Sequence, residues 1–129
     1  MSLTQTDGRQ RLPTVAFTAS ALLSVVTLFL PEAPGAEVSV PGLDKVVHAL
    51  LFALLAVTAR WRFGPRRVVP VALLLYAGGS ELAQAVLLPN RSGDLLDVAA
   101  DLTGVVLGLL GADAWRRSRP GSVTDDIRS

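Results

Sequence analysis

Acidic, amide and imidazole side chains recur at helical spacing inside apolar stretches of this 129-residue sequence. Carboxylates and an imidazole in such positions can transfer protons, and carboxylates can also bind a hard divalent cation. The candidates for acid–base chemistry are Glu81, His48 and Asp97, and those for a metal are Glu81, Asp97 and Asp101. The candidates for ligand binding are Asp44, Lys45, Gln84, Arg91 and Asp101.

Several kinds of chemistry are excluded by composition. The sequence has no cysteine, which rules out a disulfide, a thiolate metal site and a cysteine nucleophile. His48 is the only histidine, so one chain cannot form a multi-histidine zinc site. Ser80 and Ser92 have no evident base beside them in the sequence, and no phosphate-binding loop is present. The sequence therefore indicates no nucleophile motif. We also expect no nucleic-acid partner.

The elements that must position these residues are four apolar runs. Half of the residues are hydrophobic and the mean hydropathy is +0.47. The runs cover about residues 12–30, 46–59, 68–88 and 95–114, and the second extends to 43–62 if its ends belong to it. A helix needs about 20 residues to cross a bilayer. The sequence therefore predicts an all-α membrane protein with four transmembrane helices in an antiparallel bundle.

The basic residues predict the orientation of this bundle. Ten of the twelve Lys and Arg residues lie before the first run, between the second and third, or after the fourth, and only Lys45 and Arg91 lie on the other side. The positive-inside rule then places both termini in the cytoplasm. We expect a cytoplasmic segment at 1–11, a membrane domain at 12–115 and a disordered cytoplasmic tail at 116–129.

A signal peptide is the alternative interpretation of the first run. Arg9 and Arg11 precede the apolar stretch, and small residues follow near Ala36. The run is long for such a segment, and Pro34 and Gly35 are poorly suited to a cleavage site. Cleavage would leave three spans in the same orientation.

The candidate residues fall at one end of the predicted bundle, near its outer face. Helical spacing places Asp94, Asp97 and Asp101 on one stripe of the fourth helix. Similar stripes hold the pair Glu81 and Gln84 and the pair Asp44 and His48. A carboxylate at the centre of a membrane helix costs about 2.5–3.5 kcal/mol on insertion scales. We therefore expect the three stripes to face a common interior, with the acids buried against Arg91, Lys45 and His48 or lining a wet pocket.

Glycines predict where two helices approach closely. Gly78 and Gly79 lie in the third run, and Gly104 and Gly108 form a small-xxx-small pair in the fourth. These positions favour close contact between the third and fourth helices.

Three segments together resemble the VanZ-like family of small bacterial membrane proteins. They are DKVVHALLFALL at 44–55, ELAQ at 81–84 and RSGDLLDVAADLTGVVLG at 91–108. The family pattern has Asp-Lys-x-x-His, then Glu-x-x-Gln, then Arg with Asp six residues later, Asn four residues after that, and glycines. The matching residues are Asp44, Lys45, His48, Glu81, Gln84, Arg91, Asp97, Gly104 and Gly108, whereas Asp101 replaces the usual Asn.

The resemblance implies a multi-pass protein of the bacterial cytoplasmic membrane, in a family named for a member that raises resistance to the glycopeptide teicoplanin. It supplies no reaction and no cofactor. We expect binding of an envelope lipid headgroup or an antibiotic, with membrane lipids or a lipid-linked envelope precursor as partners. The alternatives are a membrane enzyme that modifies such a lipid through Glu81, His48 and Asp97, and a bundle whose polar cluster only specifies helix packing. A homo-oligomer is compatible with each of these.

Overall fold

Four helices account for all regular secondary structure in the computed structural model, which describes residues 3–30, 40–88 and 95–119. They are α1 (Leu3–Phe29), α2 (Leu43–Phe63), α3 (Val68–Leu87) and α4 (Leu95–Ser118). Each contains a stretch that is long and apolar enough to cross a membrane. The predicted all-helical fold with four candidate spans is confirmed.

The helices extend beyond the apolar runs at both ends of the chain. α1 begins at Leu3, although its membrane-compatible stretch begins only at Gly8. α4 continues through Ser118, past the predicted start of the tail at residue 116. Hydropathy marks where a helix can contact lipid, whereas the backbone hydrogen bonds of a helix continue into polar sequence. Residues 120–129 of the predicted tail lie outside the described ranges.

Glycines set both ends of α2. Gly42 precedes the helix with a φ of 81°, and its carbonyl accepts the Val46 N–H at 3.1 Å. Gly64 follows the helix with a φ of 73°, and its N–H donates to the Arg60 carbonyl at 2.9 Å. Residues with a side chain rarely adopt such positive φ values. α2 therefore includes the whole second run together with its charged ends.

The closest helix contact lies between α2 and α4. A Cβ atom built on Gly104 would collide with the carbonyl oxygen of Ala49, and one on Gly108 would lie 2.8 Å from the Ala56 Cβ. The predicted contact of these glycines with the third helix is therefore wrong, because they face α2. Gly78 and Gly79 are exposed and would have no atom within 4 Å of an added Cβ.

The bundle has an apolar core but also exposes many large apolar side chains. Phe52, Leu28 and Val105 are among the most buried hydrophobic residues. Large aliphatic residues such as Leu75 and Leu95 are largely exposed along the helices. Water would disfavour such extensive apolar exposure, whereas lipid chains would accommodate it.

Candidate functional site

His48 and Asp101 form a buried pair between α2 and α4. The Nδ1 atom of His48 lies 2.8 Å from Oδ1 of Asp101. The histidine is 3% exposed and the aspartate is fully buried. Asp101 Oδ2 accepts no hydrogen bond from any residue in the described part of the chain. The pair thus places an imidazole and a carboxylate within the apolar interior.

Glu81 from α3 completes a three-residue cluster with this pair. Each of His48, Glu81 and Asp101 offers one potential ligand atom, and these three atoms lie within 4.8 Å of one another. All three residues are buried. Three helices therefore bring together one imidazole and two carboxylates, which we call the inner cluster.

A second group, the rim, consists of Asp44, Lys45 and Asp97. The Lys45 ammonium donates to Asp44 Oδ2 and to Asp97 Oδ1, both at 3.3 Å. These side chains are more accessible than the inner cluster, since Lys45 is 33% exposed, Asp44 41% and Asp97 13%. Asp44 lies in the first turn of α2, whose N-cap is Gly42. The rim therefore carries charge at an accessible position next to the buried pair.

Contacts between α2 and α4 join residues that lie 52 or 53 positions apart in the sequence. Lys45 contacts a residue 52 positions later, and His48 contacts one 53 positions later. Arg60 also contacts a residue 53 positions later, namely Asp113. The two helices therefore run in the same direction over this whole length. The glycine contacts of α4 hold the two helix axes close together along this length.

Gln84 makes its described side-chain hydrogen bond with α1. Its Nε2 atom donates to the Leu28 carbonyl at 2.6 Å, near the end of α1. The side chain is buried and satisfies one of the last carbonyl groups of that helix. Gln84 shares a stripe with Glu81 as predicted, but its described hydrogen bond ties α3 to α1 and not to a ligand site.

Two predicted positions lie outside the described ranges. These are Arg91 and Asp94, in the connection between α3 and α4. Among the predicted metal ligands, Asp97 is not part of the three-residue group that has ligand atoms within 4.8 Å, and His48 takes its place. The acid–base set changes in the same way, because the described carboxylate bonded to His48 is Asp101 and not Asp97.

Other polar contacts were not identified from the sequence. Ser20 and Thr58 hydroxyls lie 2.7 Å apart between α1 and α2, and Ser24 and Tyr76 hydroxyls lie 3.0 Å apart between α1 and α3. Ser20 and Thr58 lie in the middle of apolar stretches, and this position is what in the sequence could have indicated a polar contact between helices. Such hydroxyl pairs are common links between membrane helices.

An apolar cavity of about 440 Å³ lies away from the cluster. It is lined by residues of α1, α2 and α3 that include Phe17, Leu55, Phe63, Leu73 and Tyr76. None of the inner-cluster or rim residues lines it. The cavity therefore contributes no group to the chemistry of the site.

The fold and the cluster define an all-helical protein with four candidate transmembrane helices and ionisable residues buried between three of them. Among known proteins, it is similar to the "Uncharacterized protein C11E3.10" of the fission yeast Schizosaccharomyces pombe. The two are 36% identical over a match of 95 residues that covers 69% of this chain and 57% of the yeast protein. The chain thus spans little more than half the length of that relative. No family model and no solved structure matches the chain.

Proposed function

We propose that this chain is a multi-pass membrane protein that binds the headgroup of an envelope lipid at its rim. The observation that carries the proposal is the position of the Lys45 ammonium between Asp44 and Asp97, on the accessible side of the buried His48–Asp101 pair. Ionisable groups within membrane helices are costly, and they usually mark a functional site.

The rim suits a headgroup that carries both a phosphate and a hydrogen-bond donor. A phosphate oxygen would replace one carboxylate as an acceptor for the Lys45 ammonium. The released carboxylate of Asp44 or Asp97 would then accept a hydrogen bond from an amine or hydroxyl of the same headgroup. Phospholipids and lipid-linked envelope precursors share this chemistry.

The proposal includes a topology in which both termini are cytoplasmic and the rim lies near the outer leaflet. The ten-to-two division of basic residues supports this orientation. An antiparallel arrangement of α1 and α2 is supported by two contacts, Phe17 with Phe63 and Ser20 with Thr58, because the numbers rise along α1 and fall along α2. The shared direction of α2 and α4 also agrees with alternating helices. Placement in a bacterial cytoplasmic membrane, and protection against teicoplanin-type glycopeptides, are what the VanZ-like resemblance implies.

Lipid retention tests the binding proposal. The purified protein is transferred into micelles that contain equal amounts of phosphatidylethanolamine and phosphatidylcholine, and bound lipid is counted by native mass spectrometry. We expect preferential retention of phosphatidylethanolamine, because phosphatidylcholine has no N–H donor. Lys45→Met should lower retention by about tenfold, since a hydrogen bond to a charged group is worth about 1.5–3 kcal/mol.

Arg66→Gln is the matched control for this experiment. Arg66 is an exposed cation in the α2–α3 connection, at the opposite end of α2 from the rim. Its loss should leave the preference between the two lipids unchanged. Equal retention of both lipids by the native chain, or unchanged retention in Lys45→Met, would contradict headgroup binding at the rim.

Resistance of cells to a glycopeptide or another envelope stress tests whether the cluster is needed for function. Glu81→Gln and Asp97→Asn should abolish protection against a glycopeptide or another envelope stress, with abundance and membrane insertion unchanged. Full protection by both variants would show that the cluster is structural. Loss of protection together with misfolding would favour the helix-packing function.

A membrane enzyme is the second candidate, and the His48–Asp101 hydrogen bond favours it. A carboxylate that fixes the orientation of an imidazole is a common arrangement for a general base. Glu81 supplies a second acid in the same cluster. Lipid and cell-wall precursor profiles with and without the protein separate the two candidates. Altered profiles that depend on His48 support the enzyme, and unchanged profiles under protective conditions support the binder.

A further inference from the structure

The inner cluster has the composition and the spacing of a metal site. His48, Glu81 and Asp101 come from three different helices, and their ligand atoms lie within 4.8 Å of one another. Two ligand atoms around a tetrahedral ion at about 2.0–2.1 Å are separated by about 3.4 Å. A contraction of at most about 1.4 Å, within the reach of side-chain rotations, would bring the three groups to coordination distance.

A buried acceptor atom points independently to an occupant. Asp101 is fully buried, and its Oδ2 atom has no hydrogen-bond partner among the residues that the structure describes. A buried carboxylate oxygen without such a partner loses its hydration and gains nothing in return. A cation among the three side chains would satisfy this oxygen.

The ligand set selects the class of ion. An imidazole with two carboxylates suits first-row transition metals such as Zn²⁺, Mn²⁺ and Fe²⁺, whereas Mg²⁺ and Ca²⁺ prefer oxygen ligands alone. Two carboxylates also balance the charge of a divalent ion, which makes burial of the charged groups less costly. Three protein ligands leave a coordination position for water or a ligand, as in catalytic zinc sites.

We propose that His48, Glu81 and Asp101 bind one divalent transition-metal ion per chain. The site goes beyond the proposed headgroup binding and does not rest on it, because the rim residues supply none of the three ligands. Metal binding by protein purified in detergent and freed of phospholipid therefore tests the site alone. A failure of lipid binding in Lys45→Met would leave this result unaffected.

The experiment measures metal content and affinity. The full chain is purified with a histidine-free affinity tag, stripped with chelator and titrated with Zn²⁺, Mn²⁺, Mg²⁺ or Ca²⁺ by calorimetry, with stoichiometry checked by elemental mass spectrometry. We expect one Zn²⁺ or Mn²⁺ per chain, and no saturable binding of Mg²⁺ or Ca²⁺. Zn²⁺ should also raise the unfolding temperature, because a ligand of the native state stabilises it.

Conservative variants locate the ion. His48→Gln, Glu81→Gln and Asp101→Asn should each weaken Zn²⁺ affinity by at least about tenfold, since even groups that only support the ligands contribute that much. Asp113→Asn, which removes a carboxylate from the other end of α4, should bind as the native chain does. Circular dichroism and gel filtration identify any variant that fails to fold, and the other two then decide the result.

Four outcomes would overturn the proposal. Three of them are the absence of stoichiometric metal in the native chain, equal affinity for Mg²⁺ and Zn²⁺, and native Zn²⁺ affinity in those folded variants that lack one of the three ligands. Loss of binding in Asp113→Asn together with the cluster variants would also overturn it, because the effect would then be general and not local.

Discussion

The Nδ1 atom of His48 lies 2.8 Å from Oδ1 of Asp101, within the contact between α2 and α4. Both side chains are withdrawn from solvent, so neither can exchange its partner for water. A buried polar group that loses its partner costs about 1–3 kcal/mol. This hydrogen bond therefore contributes to holding α2 and α4 together in the metal-free protein.

Two substitutions of Asp101 should separate the contributions of its hydrogen bond and of its charge to the free energy of unfolding. Asp101→Ala removes the acceptor for His48, and we expect the free energy of unfolding to fall by about 1–3 kcal/mol. Asp101→Asn retains a side-chain oxygen and should cost less. The measurement is unfolding by sodium dodecyl sulfate in mixed micelles, followed by circular dichroism in the presence of chelator.

Thr103→Ala serves as the matched control for Asp101. Thr103 is exposed on the same helix, and its hydroxyl donates to the carbonyl of Ala99 in its own helix. Its loss should change the free energy of unfolding little. If Asp101→Ala were no less stable than Thr103→Ala, the buried pair would not stabilise the helix contact.

A methyl group at Gly104 should disrupt the same contact by steric overlap. Its Cβ atom would meet the backbone of Ala49, which cannot rotate away as a side chain can. We expect Gly104→Ala to lower the free energy of unfolding by about 1–3 kcal/mol, which is the usual cost of overpacking.

The control is Gly111→Ala in the same helix, where an added Cβ meets nothing within 4 Å. Alanine also favours helix over glycine by about 0.8–1.0 kcal/mol, so this control should be neutral or stabilising. The same detergent titration measures both variants. A Gly104→Ala protein as stable as Gly111→Ala would contradict the close approach of α2 and α4.

The sequence could predict which residues of a single helix share one face. The spacing of Asp97 and Asp101 placed both on one stripe of α4, and the structure pairs them with Lys45 and His48 of α2. The cost of burying charge in a membrane explains this success, because it requires that acids face the interior and find partners.

The identity of the neighbouring helix could not be predicted in the same way. Gly104 and Gly108 signalled close packing, but their spacing is the same whether α2 or α3 is the partner. Gln84 likewise shares a stripe with Glu81, yet its hydrogen bond reaches Leu28 of α1. Which helix a given stripe meets depends on the arrangement of the whole bundle and therefore leaves no local signal.

Arg60 and Asp113 should be coupled across the other end of α2 and α4. Arg60 Nε lies 3.1 Å from Asp113 Oδ1, and Nη2 donates to Oδ2 at 3.2 Å. The ion pair therefore contains one hydrogen bond to Asp113, from Nη2, because Nε forms none with a described residue. In a double-mutant cycle with Arg60→Met and Asp113→Leu, we expect a coupling energy of about 1 kcal/mol, within the usual range for contacting residues.

The same cycle with Arg60→Met and Asp97→Asn provides the control, because Asp97 pairs with Lys45 far along the helix. Unfolding in detergent measures all of the variants. Additive effects in the Arg60–Asp113 cycle would show that the pair contributes nothing to the contact. Equal coupling in both cycles would indicate a general effect of charge.

Single-cysteine labelling should establish the orientation of the bundle. The chain contains no cysteine, so each introduced thiol is unique. Val40 and Pro65 are exposed and flank opposite ends of α2. With both termini in the cytoplasm, a membrane-impermeant maleimide should label Val40→Cys in intact cells and Pro65→Cys only after the membrane is permeabilised. The basic residues around Pro65 are the physical reason, because positively charged loops are retained in the cytoplasm. Labelling of Pro65→Cys but not Val40→Cys in intact cells would reverse the topology and place the rim at the inner leaflet.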